Sequence, residues 1–417
     1  MPTEPVRTCL PTLTALAISV ALVAVAPAAH AQGLERPVNA EIVGHITAPA
    51  PLEATDALVN SLRYPPGFRL TKWAENLDTP RVIVVAPGGD VYVSSRVAGT
   101  ITLLRGGERA THRQTVLSGR KDVHGLAIAN GRLYYAIATE TFSAPIRADG
   151  SLGAEQRIAA DLPDTGQHNN RTLAFGPDGW LYESIGSTCN ECDEQNPESA
   201  TMLRMRPDGS GREIFATGLR NTIGFMFRPG TDELWGWDDG TDWLGDDEQR
   251  EELNLIRPGR KYGWPYVFGN GVLNLYRDPP RGQGTVEQWD RDSERPVISH
   301  TAHSSGMQIA FYDGKRFPRR FHGDLFVTLH GSWNREPPSG YEVLRVQFQA
   351  GRPVHIQPFL TGFLIRTGEK SWARFGRPMG LAVAADGSLL VGDDQNGIIY
   401  RIDHPPRPAG ARAEGEE

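Results

Sequence analysis

One phrase recurs six times along this 417-residue chain, and it constrains the fold more than any other feature. An apolar alternating run leads into a Gly- or Asp-bearing turn, and a second apolar run follows. In one copy Val82-Ile83-Val84-Val85 is followed by Ala86-Pro87-Gly88-Gly89-Asp90 and then Val91-Tyr92-Val93. Further copies begin at Leu126, Leu173, Phe225, Ile309 and Leu381, the fifth with its second run delayed to Leu325-Phe326-Val327. Period-two alternation around a turn that tolerates positive φ predicts a β-hairpin. From Gly89 to Gly387 the copies recur at roughly 60-residue intervals, a small sheet plus insertions. Six such units predict an all-β chain folded as a six-bladed β-propeller, in which radial repetition leaves only short protected sheet edges. The run Phe68-Arg69-Leu70-Thr71-Lys72-Trp73-Ala74 is a strand before the first hairpin, and the last copy, ending Ile398-Ile399-Tyr400-Arg401-Ile402, lacks a fourth strand. The N-terminal strand is therefore expected to complete the last blade and close a ring over residues 67–403. A β-helix or a pair of sandwiches is the alternative that the pattern leaves open.

Composition agrees with a turn-rich β chain: 46 Gly and 31 Pro make 77 of 417 residues. The balance of 43 Lys+Arg against 50 Asp+Glu, a net charge of −7, argues against a nucleic-acid binder, because nothing offsets phosphate repulsion. Residues 1–31 read as a signal peptide: Arg7, an apolar stretch over 10–28, then Ala29-His30-Ala31 as the small-x-small cleavage pattern. The mature chain is expected to begin near Gln32, to be secreted or periplasmic, and to have no membrane span. Residues 32–66 form an N-terminal extension, and the Pro-, Ala- and Glu-rich residues 404–417 a disordered tail. Cys9 leaves with the signal, so Cys189 and Cys192 remain. A structural zinc needs about four ligands and no second pair exists, so in an oxidising compartment a loop-stapling disulfide is expected. Asp193 follows Cys192, which excludes a haem-attachment Cys-x-x-Cys-His.

Propeller geometry brings the residue before each blade's first strand and the residue after its second strand to one channel mouth. The first group comprises Arg81, His124, His168 with Arg171, Arg220-Asn221, His303 and Arg377. The second comprises Arg96, Ser187, Asp238-Asp239, His330 and Asp393-Asp394. This is a ring of cations and carboxylates. Between the fourth and fifth copies, residues 237–248 interleave Asp238, Asp239, Asp242, Asp246 and Asp247 with Gly240 and Gly245, offering hard oxygen ligands suited to Ca²⁺ or simply a solvated acidic loop.

Several stretches carry a resemblance: His168-Asn169-Asn170-Arg171, Leu219-Arg220-Asn221, Asp242-Trp243-Leu244-Gly245-Asp246-Asp247, Tyr262-Gly263-Trp264-Pro265, His330-Gly331-Ser332-Trp333-Asn334-Arg335, Gly376-Arg377-Pro378 and Gly392-Asp393-Asp394. In order over about residues 60–402, the sequence resembles the glucose/sorbosone dehydrogenase family, the soluble pyrroloquinoline quinone (PQQ) enzymes, and specifically its L-sorbosone dehydrogenase branch. The resemblance implies a six-bladed propeller that binds PQQ and Ca²⁺ and oxidises an aldose or sugar aldehyde. PQQ carries three carboxylates, and Arg grips carboxylates bidentately. The resemblance implies Arg220, Arg377 and Arg335 as clamps, with Asn221 beside them. It also implies Asp239 beside the cofactor and the Gly240 and Thr241 carbonyls on the metal; with these, His124, Arg171 and Asp393 of the polar ring are expected near the cofactor, and Asp246 and Asp247 of the acidic loop on the metal. His168 is implied as the general base, and an unperturbed imidazole near 6.5 suits that task around neutral pH. Glucose-oxidising relatives hold the cofactor with a Lys; the nearest residue here is His330. Electrons must leave to an external acceptor such as a periplasmic cytochrome. A gluconolactonase-type metal-dependent propeller hydrolase and a non-catalytic binding propeller are the rival readings.

Overall fold

A computed structural model of the chain describes residues 42–164 and 166–405. The expected signal peptide, Cys9, the start of the N-terminal extension and nearly all of the C-terminal tail lie outside the described residues. Each of the six repeated phrases folds as a hairpin that begins a small antiparallel sheet. The first sheet runs Pro80–Val85, Val91–Ser95, Thr100–Gly106, Ala110–Leu117, and the second Leu126–Ala129, Arg132–Ala136, Thr141–Pro145, Gln156–Ala159. The third comprises Leu173–Phe175, Leu181–Ile185, Thr201–Met205 and Glu213–Thr217, with the short Arg260–Lys261 added in parallel. The fourth comprises Thr222–Phe227, Leu234–Asp238, Glu251–Ile256 and Ile298–His300, and the fifth Gly306–Phe311, Leu325–Leu329, Glu342–Gln349 and Arg352–Leu360.

The sixth sheet draws on distant parts of the chain. Pro378–Val383, Leu389–Asp393 and Ile398–Asp403 are joined at the outer edge by Arg69–Ala74, which pairs antiparallel with Ile398–Asp403. The delay in the fifth copy is filled by a 3₁₀ turn, Arg319–Phe321, whose Phe321 packs with Phe317, Phe359 and Phe68.

Apolar side chains fill the spaces between consecutive sheets. One cluster joins sheets one and two through Val82, Tyr92, Leu126 and Tyr135; the next joins two and three through Tyr134, Leu173 and Leu203. Tyr182 and Phe225 join three to four, Trp235 and Leu325 four to five, and Phe326 and Leu381 five to six. Trp73, Ile83, Val91 and Leu390 join six back to one. Because each sheet buries both faces, its strands carry apolar residues on both sides rather than alternating cleanly. Before the first sheet, the helix Asp56–Asn60 is capped by Thr55, and Ala50–Pro51 pairs in parallel with Trp372–Arg374. Among the described residues no helix is long and apolar enough to cross a membrane.

Candidate active site

At one end of the innermost strands lies a cavity of about 190 Å³. His168, Arg220, Asn221, Asp239, Gly240 and Arg377 line it, six positions singled out from sequence and drawn from the loops of three different sheets, the third, fourth and sixth. His303, Asp242, Glu251, Ser305, Trp333 and Asn334 complete much of the wall.

The two arginines are held alike. The Asp238 carboxylate ends a second strand and accepts from the backbone N–H groups of Arg220 (3.0 Å) and Asn221 (2.9 Å) across its hairpin. Asp393, at the equivalent place in the sixth sheet, accepts from the N–H of Arg377 at 3.0 Å. The Arg220 guanidinium then donates to the Asn190 carbonyl (3.0 Å) and side-chain oxygen (2.8 Å), the Asp239 carbonyl (3.3 Å) and the Asp242 carboxylate (3.1 Å). Arg377 donates from Nη2 to His330 Nδ1 at 2.6 Å. His330 Nε2 lies 2.9 Å from Asp394, which also pairs with Arg81 at 2.6 Å. Burial pushes the His330 imidazole down to about 4, so it is neutral near pH 7, with the proton on Nε2 toward Asp394 and the Nδ1 lone pair toward Arg377.

His168 is fixed the opposite way round. Its Nδ1 lies 2.8 Å from Ser187 Oγ and 3.2 Å from the Ser187 carbonyl. Ser187 Oγ donates its own hydrogen to the Cys189 carbonyl at 2.6 Å, so toward the imidazole it acts as acceptor. Nδ1 therefore carries the proton and Nε2 the lone pair. Burial, with the Arg220 guanidinium nearby, pushes His168 down to about 3, far below the ordinary value near 6.5.

The acids behave differently. Burial and the neighbouring Glu251 carboxylate hold the Asp239 carboxyl well above the usual range. Its oxygens accept from the Gly306 N–H at 2.9 Å and from Asn221 Nδ2 at 3.3 Å. Gly240 is required locally, because a Cβ there would stand 2.4 Å from the Gln249 carbonyl oxygen.

Other positions expected in the site stand outside the cavity lining. His124 is fully buried behind it, bonded through Nδ1 to the Arg171 carbonyl at 2.9 Å, and burial pushes it down to about 3. Arg171 is buried too, donating to the Pro163 carbonyl, with burial lowering it to about 10. Asp393 acts through the backbone of Arg377, and His330 stands behind Arg377 rather than in the cavity wall. Thr241 is buried, its N–H given to Gln249 Oε1 at 3.1 Å. Arg335 donates to the Asp246 carbonyl and the Asp247 carboxylate, both at 3.0 Å. Asp246 also accepts from His45 at 2.7 Å, and Asp247 is 84% exposed. These three residues lace the rim loops together.

Cys189 and Cys192 are joined as a disulfide with Cα atoms 6.1 Å apart. Among the described residues they and Glu194 are the one group of three metal-ligating side chains in reach of each other, and the disulfide removes the two sulfurs as ligands. Sequence reasoning missed Glu251 and Asn334. Asn334 sits within a quoted motif, but its bond to Asp242 Oδ1 at 2.7 Å is a contact between loops far apart in sequence.

A family model described as glucose/sorbosone dehydrogenase matches residues 77–366. The chain belongs to this family. Among its relatives is an uncharacterized protein of Borreliella burgdorferi, 28% identical over 367 residues, covering 84% of this chain and 92% of that protein. A pyrroloquinoline quinone-dependent pyranose dehydrogenase of Coprinopsis cinerea is 29% identical over 136 residues, 29% of this chain, and the match spans only 18% of that protein. The holo pyranose dehydrogenase PQQ domain from Coprinopsis cinerea superposes with a TM-score of 0.70 at 19% identity, covering 86% of this chain and 100% of that one. The likeness establishes the fold as that of the family's propellers.

Proposed function

We propose that the protein is an exported, PQQ- and Ca²⁺-dependent dehydrogenase of aldoses or sugar aldehydes, sorbosone-like among them, passing electrons to an external acceptor. The observation that carries this reading is the convergence of His168, Arg220, Arg377, Asp239 and Gly240 on one cavity. The six sheets are read as six blades, with Arg69–Ala74 closing the ring.

The lining suits a planar polyanion accompanied by a divalent cation. Two guanidinium groups face it, offset by the Asp239, Asp242 and Glu251 carboxyl groups. The walls alone therefore do not balance three carboxylates, and a Ca²⁺ bound with the anion, on the Gly240 and Thr241 carbonyls, would supply the missing charge. When bound, the quinone supplies the hydride acceptor and Ca²⁺ the Lewis acid that polarises it. Arg220 and Arg377 bind and orient the carboxylates. His168 takes the substrate hydroxyl proton at Nε2, the nitrogen left basic by the Ser187 contact.

The rim favours a sugar. Trp243 and Trp333 are 53% and 42% exposed, pack edge to face at 4.9 Å, and Trp333 also lines the cavity. Flat apolar rings beside the amide of Asn334 and the carboxylate of Asp242 suit the apolar face and hydroxyls of a pyranose.

Protein incubated with Ca²⁺ and PQQ should gain the quinone absorbance and reduce an artificial dye when given aldoses or sorbosone. Absence of cofactor uptake, together with metal-dependent lactone hydrolysis, would replace this reading with the hydrolase.

A further inference from the structure

The disulfide encloses Asn190 and Glu191, and this small ring is wired into both functional ends of the site. Asn190 accepts from Arg220 Nε through its carbonyl (3.0 Å) and from Arg220 Nη2 through Oδ1 (2.8 Å). The same Oδ1 accepts from the Asp242 N–H at 2.8 Å, and Nδ2 donates to the Asp242 carbonyl at 3.0 Å. One side chain thus holds a cavity-facing guanidinium and the loop of its carboxylate partner. At the other end, the Cys189 carbonyl accepts from the Ser187 hydroxyl at 2.6 Å, which leaves Ser187 Oγ as acceptor for His168 Nδ1. Thr188 is tied to Glu194 beyond the ring by its N–H at 2.7 Å and its hydroxyl at 2.8 Å.

A loop without regular structure has no ladder to fix its carbonyl directions, so a covalent constraint beside Asn190 is what aims them. Resting on the dehydrogenase reading above, we propose that the Cys189–Cys192 ring is the positioning element of the site. Closed, it aims Asn190 at Arg220 and the Cys189 carbonyl at Ser187; open, it releases both, so the site becomes competent only once oxidised. Closure is a thiol–disulfide exchange: the two cysteine thiols are oxidised, and a donor disulfide takes their two electrons and two protons and leaves as two thiols.

The test compares the oxidised full-length protein with the same protein reduced by dithiothreitol and with Cys189→Ser/Cys192→Ser. PQQ affinity is read by absorbance titration, turnover by dye reduction, the His168 imidazole by NMR (assigned with His168→Gln), and folding by circular dichroism. Opening the ring is expected to keep the fold and to move the His168 resonances. Affinity should weaken about tenfold and kcat fall about a hundredfold, the scale of loss when supporting groups release a reacting group by about 1 Å. Folded protein with an open ring and unchanged affinity, turnover and His168 resonances overturns the proposal. If the double variant does not fold, Asn190→Ala with the disulfide intact decides. It should lose PQQ affinity; parent affinity in Asn190→Ala overturns the positioning role. If no form takes up PQQ, the cofactor reading falls, and the His168 resonances still decide the ring's role.

Discussion

At the scale of single residues, the two histidines flanking the arginines are neutral for different ends. His330 offers its Nδ1 lone pair to Arg377, whereas His168 holds its proton on Nδ1 toward Ser187. Both nitrogens of His330 are thereby engaged, one by Asp394 and one by Arg377. With His168 as the base, burial beside Arg220 predicts that kcat/KM stays on its plateau well below pH 6.5, with the acid limb near 3. Arg220→Gln should move that limb upward by removing the cation beside the imidazole. A limb near 6.5 in the parent would contradict the buried setting. Replacing His168 with Gln should abolish turnover and leave PQQ uptake nearly intact, and Trp333→Ala should raise KM for the sugar about tenfold with little change in kcat. Which residue types ring the mouth was legible in sequence; which way each points was not. Arg335 shows why: its guanidinium follows the path of the rim loop, and no periodicity encodes that path.

At the scale of elements, the hairpin is the unit that converts sequence into a site. Its turn sits at one end, so the residues at the open end face the cavity, and the aspartate ending the second strand grips the arginine's backbone before the first. Asp238 with Arg220 and Asp393 with Arg377 are two copies of this device. Asp393→Ala leaves those N–H groups unpaired and should cost about 1–3 kcal/mol in denaturant unfolding, together with a loss of PQQ affinity. Wild-type affinity would show that Arg377 is positioned from elsewhere. The hairpins were legible because two short apolar runs around a Gly- or Asp-bearing turn are local signals. The third sheet's extra strand, Arg260–Lys261, was not, since its two exposed residues carry no pattern and follow from the chain's return across the sheet edge.

At the scale of the whole molecule, buried acids give stability an unusual dependence on pH. Burial alone pushes Glu342 up to about 7, so the folded state retains this proton between the ordinary value near 4.5 and pH 7 while the unfolded chain loses it. Its contribution is complete below pH 4.5 and is lost as pH rises through 7. Glu342→Gln should accordingly gain on the parent by roughly 3 kcal/mol across that interval, read from urea unfolding at several pH values. A constant difference would mean the carboxylate is solvated. Ring integrity is tested through Trp73, buried between the sixth and first sheets with Nε1 on the Gly107 carbonyl at 3.0 Å. Trp73→Ala should destabilise the fold by about 3–5 kcal/mol.

The pairing of Arg69–Ala74 with Ile398–Asp403 also has a consequence in time. Arg69 and Asp403 stand 334 positions apart, so during synthesis the first strand has no partner until the last has emerged. Contacts of such sequence separation form late and slowly. Arg377 precedes the first strand of that same last sheet, while Arg220 and His168 belong to earlier ones. The cavity that gathers His168, Arg220 and Arg377 is therefore complete only after the last sheet has formed, when the whole chain up to Asp403 is available.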